Sequence, residues 1–310
     1  MELLFFDDPG PFLDVAGDAL AEEPVLGTVI AGVAERIQLQ RAAGVSWPDG
    51  VPCWFAVVLE QNASDLGEGD PDEVEQTVVV GMAMRTATFG TYPAYLLPMP
   101  DEAVHLLSST LVDRGEHVLG ANGALPAVEV FCEDMAAATG RTAVLAQRTR
   151  LFELGEPVEP RRVAGRLRPA VLDELDLVTS WCAAFMADAD QQAGRQPGTS
   201  AHEVPAEDEM RRRIAAGRMF VWVDDDERPV HLTAASMPAF GVSRIGPVYT
   251  PPAERGRGYA SRAVHEVSQL LRDSGERPCL FTDQANPTSN KIYEAIGYRR
   301  LVDMANMLVD

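Results

Sequence analysis

The sequence predicts an α/β (α+β) chain made of two tandem halves. Each half is a mixed, mostly antiparallel sheet flanked by helices. Three observations carry this. First, a strand, a tight glycine turn and a helix start follow one another at Val248-Tyr249-Thr250-Pro251-Pro252-Ala253-Glu254-Arg255-Gly256-Arg257-Gly258-Tyr259-Ala260-Ser261. Second, strand-type and helix-type patterns recur in the order β-β-β-α-β-α-β in both halves. Third, 310 residues are enough for two domains of about 150 residues each.

In the first half, Val25–Arg41 reads as helical. Cys53–Glu60 and Thr77–Thr86 are apolar runs of strand type, joined by the acidic, Gly-rich insert Gln61–Gln76, which reads as a long loop. Tyr92–Leu97 is expected as a strand, Glu102–Val112 as a helix and His117–Leu119 as a short strand. A helix from Pro126 to Thr139 is expected to stop at Gly140, before a long strand over Thr142–Leu154. Gly155–Pro160, followed by Arg161 and Arg162, reads as a linker, which sets the domains at 1–155 and 156–310.

In the second half, Gly165–Ala170 reads as a strand and Leu172–Asp188 as a helix. Met219–Asp224 and Val230–Met237 form a hairpin about the turn Asp225–Pro229, and Ile245–Thr250 is the next strand. Pro247 cannot donate to a ladder, so it marks a bulge or an edge. The glycine turn follows. Gly256 and Gly258 permit tight backbone geometry, and the first helical amides lack intrahelical partners, so the turn suits a phosphate or pyrophosphate. Arg255 and Arg257 add positive charge. Val264, Val267, Leu270 and Leu271 keep helical spacing until Asp273, Ser274 and Gly275. Cys279–Thr282 is a short strand. Thr288 or Ser289 can cap a helix from Asn290 to Ile296, closed by Gly297.

The spacing is neither a P-loop nor a dinucleotide fingerprint. It resembles the acyl-CoA pyrophosphate loop of the GNAT acetyltransferases, Arg/Gln-x-x-Gly-x-Gly/Ala, met by Arg255, Gly258 and Ala260. A second signature of that family, N-x-x-A/S-x-x-[LI]-Y-E-x-x-G-[FY], is matched by Asn286, Ser289, Ile292, Tyr293, Glu294, Gly297 and Tyr298. The resemblance covers roughly residues 219 to 303. The first half has Leu97-Pro98-Met99-Pro100-Asp101-Glu102 where the glycine turn should be, and no tyrosine in its second helix. Asp101 and Glu102 would repel a pyrophosphate, so this half is expected not to bind acyl-CoA. It is expected instead to shape the acceptor cleft or an interface. In layout the chain is similar to the mycothiol synthases, which carry two such folds in one chain.

The resemblance implies acetyl-CoA as co-substrate and transfer of its acetyl group to an amine by direct attack. It places Val248, Tyr249 and Thr250 on the strand that binds the pantetheine arm, with a main-chain N–H near Val248 or Tyr249 on the thioester carbonyl. Arg255, Gly256, Arg257, Gly258, Tyr259, Ala260 and Ser261 hold the pyrophosphate. Asn286 bridges the split strands or binds the pantetheine, or is simply an Asn-Pro turn starter; Ser289 stands beside it. Tyr293 takes the place of the general acid, since a phenol of pKa about 10 is protonated at neutral pH; its other reading is helix packing. The general base stays open between Asp283, His231 and ordered water. His265 reads as a surface residue and Glu254 as solvated. An acyl-CoA-binding module without turnover, and transfer to a hydroxyl, are the alternatives.

The net charge of −21 argues against nucleic acid and anionic membranes and favours a cationic acceptor, a small molecule or a peptide amine. However, Lys291 is the one lysine among 26 basic residues, a bias that also fits acidity as a habit of a whole proteome. No run of 18 apolar residues occurs, and the start has no basic n-region, so a cytoplasmic protein is expected. Cys53, Cys132, Cys182 and Cys279 are scattered and suggest neither a zinc site nor disulfides. The acceptor pocket is expected from Met186–Met210, where His202, Glu203 and Glu207 lie.

Overall fold

The computed structural model describes residues 1–62, 76–87, 93–201 and 204–310. Most of the expected loop insert, 63–75, and both His202 and Glu203 lie outside the described residues. The elements in chain order are β1 (Glu2–Phe6), α1 (Pro9–Glu22), α2 (Thr28–Ala42), β2 (Trp54–Asn62), β3 (Gln76–Arg85), β4 (Ala94–Leu96), α3 (Asp101–Asp113), β5 (Gly120–Ala124), α4 (Ala127–Thr139) and β6 (Ala143–Leu154). Then follow β7 (Arg166–Pro169), α5 (Leu175–Gln192), α6 (Glu207–Ala215), β8 (Met219–Val223), β9 (Pro229–Ala235), β10 (Val242–Tyr249), α7 (Tyr259–Asp273), β11 (Arg277–Asp283), α8 (Pro287–Ala295) and β12 (Tyr298–Val309).

The chain forms two compact units. One comprises Met1–Arg148 with Asp303–Asp310, the other Thr149–Val302. The sequence placed its boundary at 155–156; the units instead divide within β6 and within β12.

In the first unit β1 to β4 are antiparallel neighbours, and β4 runs parallel to β5. The C-terminal part of β12 then lies antiparallel to β5, from Met304 opposite Ala124 to Leu308 opposite Gly120. Alternation along β2 sorts its side chains. Trp54, Ala56 and Val58 join the cluster under α3 and α4, while the Phe55 ring stacks on Phe12 of α1 at 4.8 Å. Two elements escaped the sequence reading. β1 is a half-buried edge strand. Helix α1 starts at Asp8, whose carboxylate accepts from the Gly10 amide at 2.7 Å, ahead of Pro9. The short strand expected at His117–Leu119 lies at Gly120–Ala124.

The second unit repeats this plan. β7, β8, β9 and β10 are antiparallel neighbours and β10 is parallel to β11. The Thr149–Glu153 part of β6 is antiparallel to β11. On one face, α5 and α6 cover Met219, Val221, Val223, Leu232, Ala234 and Tyr249. On the other, α7 and α8 cover Phe152, Phe220, Ala235, Ile245 and Leu280. β8 is apolar at every position because both its faces are covered.

Candidate active site

The second unit opens its sheet in one place. β10 and β11 pair only from Val242 opposite Arg277 to Arg244 opposite Cys279. Beyond that, β10 continues with β9 alone and β11 continues with β6 alone. A register shift between Ile245 and Val248, around Gly246 and Pro247, turns β10 away, as the proline suggested. The facing main-chain groups of Ile245–Tyr249 and Leu280–Asp283 therefore have no strand partner across the gap. The closed end is pinned by a largely buried ion pair. Arg218 donates both terminal nitrogens to Glu276 at 2.9 Å, and Ser243 of β10 donates to the same carboxylate. Burial pushes the Glu276 carboxyl up, but Arg218 and Ser243 outweigh it and hold it below the usual carboxylate range.

At the open end stands the glycine turn. Gly256 (φ +77) and Gly258 (φ +93) take the left-handed region. Gly258 caps α7 without any side-chain cap, and the first helical bond is Arg262 N–H to Gly258 O at 3.2 Å. The amides of Tyr259, Ala260 and Ser261 thus have no intrahelical acceptor and sit at the positive end of the helix dipole. The Tyr259 ring is buried and packs near Trp222, which leaves only its backbone at the turn. Arg255 donates to Thr250 O at 2.9 Å and is ion-paired with Asp188 of α5. Arg257 is paired with Glu254 at 2.9 Å, so Glu254, expected in solvent, is a partly buried partner of the turn.

Among the described residues the first unit shows neither feature. β4 and β5 stay paired from Ala94 to Leu96. A Cβ on Gly123 would lie 2.0 Å from Leu96 O, so the two backbones are in direct contact. Asp101 and Glu102 occupy the first turn of α3.

Tyr293 projects from α8 into the cluster that holds Ile245 and Leu280, with Val248 packed against it. Its ring meets Tyr298 edge-on at 6.1 Å. Burial pushes its phenol well above the usual range, so it carries its proton at neutral pH. Tyr249 points to the opposite face, against Trp181. Val248 and Tyr249 thus alternate across β10, as a strand requires.

Asn286 is the cap of α8. Its Oδ1 accepts from the Ser289 amide at 3.0 Å, and its Nδ2 donates to Gln192 of α5 at 3.0 Å. The helix accordingly begins at Pro287, and neither Thr288 nor Ser289 caps it. The signal was legible, since Asn followed by Pro at the first helical position is a standard helix start. Asn290, which the sequence reading passed over, donates to the carbonyls of Asp283 and Gln284 and ties the end of β11 to α8.

The base candidates are differently placed. Asp283 accepts from the Ala285 amide at 2.7 Å, which closes the turn after β11. His231 is fully buried, with Nδ1 2.7 Å from Thr250 Oγ1 and Nε2 2.7 Å from Thr233 Oγ1. Burial holds its imidazole down at about 3, so it is neutral. His265 is buried, not on the surface as expected, and its Nδ1 has no partner. The segment bearing Glu159 lies against this part of α7 through Arg262. On the expected acceptor side, the buried Asp190 of α5 organises the chain after the helix. It accepts from the Ser200 amide and hydroxyl at 2.9 and 2.7 Å, from the Gly198 amide at 3.0 Å and from Arg195 at 3.0 Å. Burial would raise its carboxyl, but these donors hold it at about 2. Glu207 is exposed and paired with Arg211. Among the described residues no group of acidic, His or Cys side chains is arranged to hold a metal, and no helix is long and apolar enough to cross a membrane.

Residues 227–307 match the family described as FR47-like protein. No curated protein matches the sequence. A solved GCN5-related N-acetyltransferase from Sphaerobacter thermophilus is 16% identical, with 99% of this chain and 95% of that one covered at a TM-score of 0.58. A tandem GNAT protein from the clavulanic acid biosynthesis pathway is 12% identical, with 100% and 98% covered at a TM-score of 0.53. A GCN5-related N-acetyltransferase from Kribbella flavida is 16% identical, with 75% and 88% covered at a TM-score of 0.50. At such identities what is shared is the fold.

Proposed function

We propose that this chain, a member of the GNAT superfamily by its fold and its FR47-like segment, is an acetyl-CoA-dependent N-acetyltransferase with its active site in the second unit. One observation carries the reading: the gap between β10 and β11 leads to the uncapped start of α7 behind Gly256 and Gly258. That geometry offers main-chain groups to an extended pantetheine arm and amides to a pyrophosphate. The acceptor amine, without its proton, attacks the thioester carbonyl. The new C–N bond forms as the C–S bond breaks, through a tetrahedral oxyanion that an amide near Val248 or Tyr249 stabilises. Tyr293 supplies the proton to the leaving thiolate, a role that its buried, protonated phenol suits. The amine's own proton leaves through water, because the Asp283 carboxylate holds a turn and His231, with both nitrogens on hydroxyls and burial holding it down at about 3, is too weak a base. The net charge of −21 favours a cationic amine as acceptor.

The engaged Asp283 also supports a second reading, an acyl-CoA-binding module without turnover. Two measurements test both. Acetyl-CoA at about 100 times its Kd stabilises the fold by ~2.7 kcal/mol, a rise in Tm of several degrees. An unmoved Tm discards the acyl-CoA site altogether. CoA release above background with any member of a broad amine panel supports the transferase, and binding without release supports the module.

A further inference from the structure

Each arginine of the glycine turn and of the first turn of its helix is already matched by a carboxylate. Arg255 is paired with Asp188, Arg257 with Glu254, and Arg262 with both Glu159 and Glu266. Three guanidinium groups thus face four carboxylates, in a chain whose net charge of −21 already opposes a polyanion. The amides of the α7 start are partial charges only, worth about half an elementary charge in sum. A free guanidinium beside the turn would add a full positive charge to these partial ones.

One guanidinium at the turn is not matched. Arg161 lies in the segment before β7, outside both family signatures. Its Nη2 donates to Gly256 O at 3.4 Å, and its Nε lies 3.0 Å from where a Cβ on Gly258 would stand. Its contact is thus with backbone of the turn itself, and among the described residues no acidic side chain is paired with it. It is exposed, so a ligand can reach it. Gly258 has a second role here: besides its left-handed φ, its missing side chain leaves room for this guanidinium. A planar guanidinium offers forked donors that match phosphate oxygens, whereas a weak contact of 3.4 Å to a carbonyl is easily exchanged.

The structure assigns Arg161 as the pyrophosphate-binding arginine of the acyl-CoA site, supplied by the segment between β6 and β7 and not by the glycine-turn signature. This rests on the acyl-CoA reading above. It makes the segment after Gly155–Pro160, within the second unit, part of the binding site.

Calorimetric titration of the full chain tests it, with acetyl-CoA and its 3′-dephospho form as ligands, on the wild type, Arg161→Gln and Arg162→Gln. Arg162 is the neighbouring exposed arginine and controls for general field effects. The expected result is about a tenfold weaker Kd for Arg161→Gln with both ligands, since both carry the pyrophosphate, and less than about a twofold change for Arg162→Gln. The melting temperature of Arg161→Gln without ligand should match the wild type. Unchanged affinity in Arg161→Gln, an equal loss in Arg162→Gln, or a loss confined to the 3′-phosphorylated ligand overturns the assignment while leaving the acyl-CoA reading intact. A wild type that binds neither ligand overturns both.

Discussion

The Ser289 amide donates to Asn286 Oδ1 at 3.0 Å, so the asparagine of the second signature starts the helix that carries Tyr293. The same side chain donates to Gln192 at the end of α5. Asn286 therefore positions the proposed acid through structure, whatever it also offers a ligand. Asn286→Ala should lower stability by about 1 kcal/mol and lower turnover. Asn286→Asp keeps the cap acceptor and should restore most of the stability. Urea midpoints of the two variants check this; equal midpoints would remove the capping role.

Tyr293→Phe keeps the packing of the ring within the Ile245–Leu280 cluster and removes only the proton donor. CoA release should fall by about 10²-fold or more, with acetyl-CoA affinity little changed. Stopped assays of thiol release and a binding titration separate the two effects. Unchanged turnover would return Tyr293 to a packing role.

Glu276 and Arg218 hold the closed end of the β10–β11 gap, with Ser243 on the same carboxylate. Both side chains are largely buried. Glu276→Ala leaves a buried guanidinium without its partner and should cost about 3 kcal/mol. It should also weaken acetyl-CoA binding, because the splay of the strands loses its fixed end. Denaturant unfolding and titration together test the link.

The acid limb of stability carries a histidine signature. The folded His231 imidazole titrates at about 3, below the unfolded value, so the unfolded chain binds the proton first. Stability should therefore fall as pH drops from about 6.5 towards 3, by up to about 1.4 kcal/mol per pH unit from this group. Asp190 acts lower down. Its depressed carboxyl adds stability above the unfolded carboxylate range, which is lost as pH falls through about 2. Unfolding free energies of the wild type and His231→Gln between pH 7 and pH 4 check the first window. A variant with the same slope as the wild type would assign the acid limb elsewhere.

Much of the second unit was legible because its signals are local. The Val264 and Val267 spacing marks α7, Gly258 and Gly256 mark a turn that needs left-handed backbone, and Pro247 marks a bulge. The edge strand β1 was not legible, since five half-exposed residues leave no alternation to read. His265 was misplaced for a related reason. Helical spacing shows which face is apolar, but not that the segment bearing Glu159 covers a polar position beside it.

From residue order alone came the glycine turn, its missing counterpart at Leu97–Glu102 and the tyrosine of α8, because each depends on spacings of a few residues. Tertiary structure alone decided three things. Parallel pairing stops at Arg244 and Cys279, because the register shift in β10 turns it from β11. The signature arginines are met by carboxylates as distant in sequence as Asp188, while Arg161 reaches the turn from the segment between β6 and β7. The last segment, Asp303–Asp310, completes the first unit, and Thr149–Glu153 lies against β11 in the second. These are long-range choices of charge and backbone pairing. Segments far apart in sequence satisfy them only once the chain has brought them together.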